Sequence, residues 1–336
     1  MDLRFYIAAR LVAILPTLFL LSLLTFSFSK PYLPLYGSFL QGYFSYLSLI
    51  FHGHFGMINT AMFKGPFITG IMLYFPVTLE IAALTAILTL LIGIPLGAYI
   101  GESSNRGSDY LARVITLAFY AMPVFWISII LEFTFGSRIG FFSGLFGGGT
   151  GLPLGGQGYS SALNMPWITN NVSNPTHMLF LDSLLHGDFT LAYIALLHLV
   201  IPVVALTLSM LSIVARYIRG GIMDRSNSAS TRNAVARGLN HRSIIANYSL
   251  RSGFFPSATI IGLMIAYLLA GSLTVEYFFR VKGLGFLIVE IISNLNSIKT
   301  NGLALASLAL FFGIIFMMAN LAADLVYYML RPEVRK

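Results

Sequence analysis

The 336-residue sequence contains no cysteine, and its charged residues are few. The first absence excludes a disulfide framework, a thiolate metal site and a cysteine nucleophile. Asp, Glu, Lys and Arg together make up 10% of the chain, against about 25% in a typical soluble domain. Apolar residues make up 57%. This composition predicts that the solvent of the protein is a lipid bilayer rather than water.

Signatures of nucleotide binding and of catalysis are missing as well. The glycine-rich run at residues 147–158 has the composition of a phosphate cradle, but no Gly-Lys-Ser/Thr follows it. A flexible external loop is the better interpretation. His52 and His54 stand at i, i+2 without a third ligand, which favours an exposed loop over a metal pair. No nucleophile, base and acid form a recognisable set, so we expect no enzyme and no cofactor bound by this chain itself.

Six apolar runs are each long enough to cross about 30 Å of hydrocarbon as a helix, for which about 20 residues suffice. The first run follows Arg4 and Arg10, but no small-residue cleavage site closes it, so we expect a retained helix rather than a signal peptide. The predicted fold class is an all-α integral membrane protein, with one domain over residues 1–336. The six transmembrane helices are expected at Phe5–Ser29, Leu73–Ile100, Leu111–Phe135, Phe189–Ala215, Ser257–Tyr277 and Leu303–Leu330.

Lys and Arg are distributed unevenly between the two sides that six spans define. Fourteen of the 20 lie on the same side as the termini, and six lie on the opposite side. The positive-inside rule then predicts that both termini face the cytoplasm of a cell membrane, and it accounts for the net charge of +8 without nucleic acid. In this topology Lys30–Met72 and Gly136–Asp188 are external, and Arg216–Arg251 is cytoplasmic.

The Arg216–Arg251 segment combines seven arginines with one acid, Asp224. Arginine at the centre of a membrane helix costs roughly 2.5–3.5 kcal/mol on insertion scales, so the segment is expected to lie in water. Two short amphipathic helices about a glycine turn predict a docking element; the alternative that this pattern leaves open is a hairpin on anionic lipid. Ser226 or Ser228 would cap the start of the first helix, over 231–237, and Gly238 would end it. Asn240 would cap the start of the second helix, over 241–250.

The same segment resembles the cytoplasmic EAA loop of permease subunits in binding-protein-dependent ABC importers. In the dipeptide and oligopeptide branch that loop reads Arg-x-Ala-x-Ala-Lys-Gly-Leu, then Leu-Arg-Asn-x-x-x-Pro. The runs here are Arg-Asn-Ala-Val-Ala-Arg-Gly-Leu at 232–239 and Leu-Arg-Ser-Gly-Phe-Phe-Pro at 250–256. The resemblance implies that an ATPase docks at Arg232, Asn233, Ala234, Ala236, Arg237, Gly238, Leu239, Leu250 and Arg251.

Further matches to this family follow in order along nearly the whole chain. They include Pro-Val-Thr-Leu-Glu at 76–80, Ile-Gly-Ile-Pro-Leu-Gly at 92–97 and Met-Pro-Val-Phe-Trp at 122–126. Departures are His54 where the family has aspartate, Lys282 where it has proline, and the glycine-rich insertion within 136–188. The short N-terminal tail and the long first external segment are more similar to the B-type subunit than to its C-type partner.

The resemblance implies a fold, partners and a cargo. The fold would be that of type I ABC importer permeases, with a cytoplasmic coupling helix. The partners would be a C-type permease subunit, two cytoplasmic ATPases that bind ATP and Mg²⁺, and an external solute-binding protein. Peptides are the expected cargo and oligosaccharides the alternative. A secondary transporter is less favoured, because it would place coupling carboxylates on broken helices in repeated halves and no such repeat is visible.

Three carboxylates complete the candidate residues: Glu80, Glu276 and Asp324. Glu80 and Asp324 fall in apolar runs, where an ionisable residue is a functional hypothesis by default. Both lie near the ends of predicted helices, and all three belong to runs that resemble family motifs. A structural or pathway-lining role is therefore favoured over a proton relay.

Overall fold

The computed structural model describes residues 3–32, 37–102, 107–136, 152–153, 176–226, 228–240, 264, 267–293 and 301–330. Helices dominate these residues. They are α1 Leu3–Ser29, α2 Phe39–Phe51, α3 Phe67–Glu102, α4 Gly107–Ala121, α5 Val124–Phe135, α6 Leu179–Leu185, α7 Phe189–Ser226, α8 Ala229–Ala236, α9 Leu284–Ser293 and α10 Gly302–Leu330. A 3₁₀ turn covers Lys30–Tyr32, and residues 267–278 are also helical. A short antiparallel hairpin pairs β1 Met57–Asn59 with β2 Lys64–Pro66.

Four of the described helices are long and apolar enough to cross a membrane. The qualifying stretches are Val12–Ser29, Phe67–Gly101, Phe189–Asp224 and Gly302–Leu325. They correspond to four of the six predicted spans, which confirms the character of a multi-pass membrane protein. Nine residues of the predicted span Ser257–Tyr277, at 257–263, 265 and 266, lie outside the described residues. A count of six spans therefore stays a prediction.

The predicted span Leu111–Phe135 is not one continuous helix. It divides into α4 and α5, whose axes differ by 108° across Met122 and Pro123. Proline has no N–H to donate and disfavours helical backbone at the residue before it. Here Pro123 (φ −58°, ψ 141°) becomes the N-cap of α5 and accepts a hydrogen bond from the Trp126 N–H at 2.9 Å. By contrast, Pro95 and Pro202 lie inside the uninterrupted helices α3 and α7.

The predicted external segment Lys30–Met72 contains more structure than a loop, and its last six residues already belong to α3. The hairpin is a small exception to the all-α prediction. It is held against the start of α10 by the buried side chain of Asn301. That amide accepts from the Asn59 N–H at 2.8 Å and donates to the Asn59 carbonyl at 3.1 Å.

Among the described helices, α3 and α7 form the most extensive contact, and glycine makes their approach possible. Gly93, Gly97 and Gly101 recur every fourth residue and line one face of α3. A Cβ atom placed on Gly97 would lie 2.7 Å from the carbonyl oxygen of Ala215 and 2.8 Å from the Cβ of Ile218. Small residues at four-residue spacing let membrane helices bring their backbones together. We call this contact the glycine seam.

The glycine seam predicts a sharp difference between two Gly→Ala substitutions. Gly97→Ala should lower stability by about 1–3 kcal/mol, because the added methyl group overlaps backbone that cannot move without separating the helices. Gly220→Ala is the matched control: it lies in α7, and no atom lies within 4 Å of the position of its added Cβ. Thermal unfolding midpoints of the detergent-solubilised variants measure the difference. Equal midpoints for both variants would contradict the role given to the seam.

Candidate functional site

The helix α8 begins at a side-chain cap. Ser228 has extended backbone (φ −71°, ψ 155°), and its hydroxyl accepts a hydrogen bond from the Thr231 N–H at 3.4 Å. A serine in this position satisfies one of the amides that the first helical turn leaves without a partner. Of the two serines considered from the sequence, Ser228 is the cap, since Ser226 ends α7.

The end of α8 is closed by the predicted glycine stop. Gly238 has φ +74°, the left-handed conformation that glycine adopts at little cost. Its N–H donates to the Val235 carbonyl at 2.9 Å, and the Leu239 N–H donates to the Ala234 carbonyl at 3.3 Å. This pair of bonds is the Schellman arrangement. The element is thus a short helix with both ends specified by its own sequence.

Most of α8 and of the turn after it faces outward. Thr231 and Ala234 form its buried face, and the helix packs on α7. Val235 is 60% exposed, beside two arginines, and α8 itself carries no acid. Among the predicted docking residues that the structure describes, Ala234 is buried, and the exposed ones are Arg232, Asn233, Ala236, Arg237, Gly238 and Leu239. Leu250, Arg251 and the predicted second helix lie outside the described residues.

A second candidate site is a groove along α7. Two cavities of about 300 and 280 Å³ adjoin each other there and share Met210 and Tyr267. The first is lined by Val124, Leu206, Ser209, Met210, Tyr267, Ala270, Gly271 and Thr274. The second is lined by Tyr120, Met210, Ile213, Val214, Arg216, Tyr217, Met264 and Tyr267. We call the two together the α7 groove.

The α7 groove has a cationic, aromatic end and a small, hydroxylic end. The guanidinium of Arg216 lies 4.5 Å from the ring centre of Tyr120, a cation–π contact between α7 and α4. Ser209 and Thr274 line the other end. No carboxylate lines either cavity in the part of the chain that the structure describes. The groove therefore offers one cation and two side-chain hydroxyls within a largely apolar lining.

The sequence reasoning did not identify these groove residues. One signal was available: Tyr267, Ala270 and Thr274 recur at three- and four-residue spacing and would share a helix face. All three are exposed. The α4–α5 bend that completes the groove could not be read from spacing, because a proline does not specify the angle of a bend, here 108°.

Glu80 and Glu276 both hold the beginning of a short helix. The Glu80 carboxylate, 4% exposed, accepts from the Leu181 N–H of α6 at 3.1 Å. The Glu276 carboxylate, fully buried, accepts from the Gly285 N–H of α9 at 2.6 Å. A negative charge is stabilised at a helix N-terminus by unpaired amides and by the helix dipole. Such contacts are what a structural role would require, and that role stays a prediction.

Thr78 completes the cap of α9. Its hydroxyl accepts from the Leu284 N–H at 2.9 Å. Thr78 of α3 and Glu276 of the 267–278 helix thus each satisfy one amide in the first turn of α9.

Asp324 has a different setting: its carboxylate pairs with the Arg10 guanidinium at 3.2 Å and joins α10 to α1. The His52 Nδ1–H donates to the Ser48 carbonyl at 2.7 Å, and no cluster of metal ligands occurs among the described residues.

Comparison with known proteins assigns the chain to a family. Residues 93–336 match the family described as the binding-protein-dependent transport system inner membrane component. The chain belongs to this family. It is therefore a transmembrane subunit of an ABC importer, as the resemblance implied. The matched region includes α8, the α7 groove, Glu276 and Asp324, whereas Glu80 precedes it.

Individual relatives are permease subunits of named import systems. The chain is 31% identical over 305 residues to the probable D,D-dipeptide transport permease DdpB of Escherichia coli, covering 90% of this chain and 80% of the relative. Identity to the dipeptide transport permease DppB of Haemophilus influenzae is 28% over 292 residues, with 86% and 79% covered. The nickel import permease NikB of Staphylococcus aureus is 25% identical over 283 residues, with 84% and 69% covered.

The buried cap predicts a graded response to substitution of Glu276. Glu276→Ala should cost about 1–3 kcal/mol, because the Gly285 amide keeps its burial and loses its acceptor. Glu276→Gln retains an acceptor oxygen of the same reach and should lose much less. Thermal midpoints of this family member in detergent measure both effects. If the glutamine variant is as damaged as the alanine variant, the carboxylate acts through its proton or charge rather than as a cap.

Proposed function

We propose that the chain forms half of the translocation pathway of an ATP-driven importer of small peptides, and that α8 couples this pathway to a cytoplasmic ATPase. The observation that carries the proposal is α8 itself: a helix capped at both ends, fixed to α7 by one face, with a basic and partly apolar surface left exposed. Such an element suits a groove on a partner protein.

The link between α8 and the pathway is short. Two residues separate the end of α7 at Ser226 from the start of α8 at Ala229. The 38 residues of α7 extend about 57 Å at 1.5 Å per residue, far more than about 30 Å of hydrocarbon. The same helix lines the α7 groove. A displacement of α8 by a partner would therefore be transmitted along α7 to the groove.

This link allows a mechanism of alternating access, in which the pathway switches between an inward-open and an outward-open state. The ATPases would bind ATP and Mg²⁺ and, on closing, bind α8 differently in the inward-open and outward-open states. That difference in binding free energy is what shifts the equilibrium between the two states. In this arrangement α8 and both termini face the cytoplasm, and the segments 30–72 and 136–188 face outside. An external solute-binding protein would deliver the cargo there.

The other half of the pathway would come from a homologous C-type subunit. In the α7 groove, Tyr267, Ala270 and Thr274 are exposed along one helix face, where a second subunit could close the passage. The cargo that fits best is a small peptide. Its carboxylate could face Arg216 and its backbone could contact the groove hydroxyls, and two of the relatives described above are named as dipeptide permeases.

The coupling role predicts opposite outcomes for two substitutions of Gly238. Gly238→Val should uncouple transport from ATP hydrolysis. A left-handed conformation costs a residue with a side chain about 1–2 kcal/mol, so the chain after α8 would leave the helix in a different direction. No atom lies within 4 Å of an added Cβ, so backbone conformation alone is changed. Gly238→Asn is the matched control, since asparagine tolerates the left-handed region.

Copurification of the ATPases with each tagged variant, together with ATP-dependent uptake, measures the effect. The valine variant should be normally abundant in the membrane, retain little ATPase and transport poorly. The asparagine variant should resemble wild type. If the valine variant assembles and transports as wild type does, α8 is not the docking element, and a hairpin on the lipid surface becomes the better interpretation.

A further inference from the structure

The helix α2 shows three distinct faces. Successive residues of an α-helix are rotated by about 100°. Gly42, Tyr43 and Tyr46 are buried and fall on one side. Leu40, Phe44 and Phe51 are 65%, 67% and 85% exposed and fall within about 40° of one another on a second side. The exposed polar residues, Gln41, Ser45 and Ser48, share a third side.

The buried face of α2 packs on the ends of two membrane-spanning helices. The Phe26 ring lies 5.2 to 5.6 Å from the rings of Phe39, Tyr43 and Tyr46. Phe26 is three residues, or about 4.5 Å, before the end of α1. Ala306 and Leu310, in the first turns of α10, belong to the same cluster. The helix therefore crosses α1 and α10 near the membrane boundary.

The polar groups on the buried face are satisfied within the protein. The Tyr43 hydroxyl lies 2.7 Å from the Ser22 hydroxyl, and the Tyr46 hydroxyl lies 3.4 Å from the Thr25 hydroxyl, all of them buried. Such pairing is required where water is excluded. Directly after the end of α1, the Lys30 ammonium lies 5.2 Å from the Phe39 ring centre, as expected for a lysine that reaches toward the headgroups.

The length and composition of α2 exclude two other placements. Its 13 residues extend about 20 Å, too short to cross about 30 Å of hydrocarbon. An aqueous location would leave three large apolar side chains in water on one stripe. The helix α1, on which α2 packs, also exposes large apolar side chains, with Leu24 and Phe28 47% and 79% exposed, and α1 qualifies as a membrane span.

We infer that α2 is an interfacial helix that lies in the plane of the outer leaflet. Its Leu40, Phe44 and Phe51 stripe enters the acyl chains, its Gln41, Ser45 and Ser48 stripe faces water, and its tyrosine face binds α1. Helices with this pattern insert their apolar side about 5–10 Å into the boundary between headgroups and acyl chains. The bilayer would thereby hold the hairpin, which follows α2 directly, at a fixed height. The choice of the outer leaflet rests on the orientation given with the proposed function, whereas the lipid contact itself does not depend on the proposed transport.

Two adjacent positions test the inference. Since the chain has no cysteine, Phe44→Cys and Ser45→Cys can each carry a single nitroxide label in the full-length protein, kept in its native assembly and reconstituted into lipid nanodiscs. Collisions with oxygen, which concentrates in hydrocarbon, and with a water-soluble nickel chelate are measured at both. The oxygen-to-nickel ratio should be several-fold higher at position 44 than at position 45.

Two outcomes would overturn the inference. Equal access of the nickel chelate to both labels would place α2 in water, and exclusion of both reagents from position 44 would show that protein covers the stripe. Phe51→Cys and Ser48→Cys provide a second pair on the same two stripes, in case the first pair fails to assemble. As an independent readout, a Phe44→Trp variant should be quenched by brominated lipid more strongly than a Ser45→Trp variant.

Discussion

Close backbone contact between α3 and α7 is the constraint on which the other features depend. Gly97 permits it, because any side chain there would overlap the Ala215 carbonyl. From this pair, α3 contributes Thr78 and Glu80, which hold the first turns of α9 and α6. The partner α7 lines the groove and leads to α8. If the glycine seam opened, the caps and the docking helix would lose their common support.

Features that depend on neighbouring residues were predictable from the sequence, and features that depend on distant residues were not. The apolar runs indicated membrane helices, and Ser228 and Gly238 indicated the ends of α8, because length and capping are local properties. The 108° angle at Pro123 could not be predicted from the sequence, since Pro95 and Pro202 lie within continuous helices. The docking of Asn301 on Asn59, 242 residues away, left no pattern to detect.

The buried carboxylates show what the structure adds to the interpretation made from the sequence. In an apolar run, an acid suggests ion or proton movement. Here Glu276 accepts from a backbone amide at the start of α9, and Glu80 does the same for α6. In both cases the carboxylate accepts from an amide at the N-terminal end of a helix, where the helix dipole favours an acid. This arrangement leaves the α7 groove, with Arg216 and its tyrosines, as the better candidate for contact with a solute.

The central claim is that ATP, acting through partner subunits, drives solute past this chain. It is tested most directly with proteoliposomes that contain the complex purified through this subunit, a labelled dipeptide and the external binding protein. The account predicts accumulation only when ATP is present on the ATPase side, undiminished by ionophores that collapse proton and sodium gradients. Uptake that needs such a gradient and proceeds without ATP would contradict it.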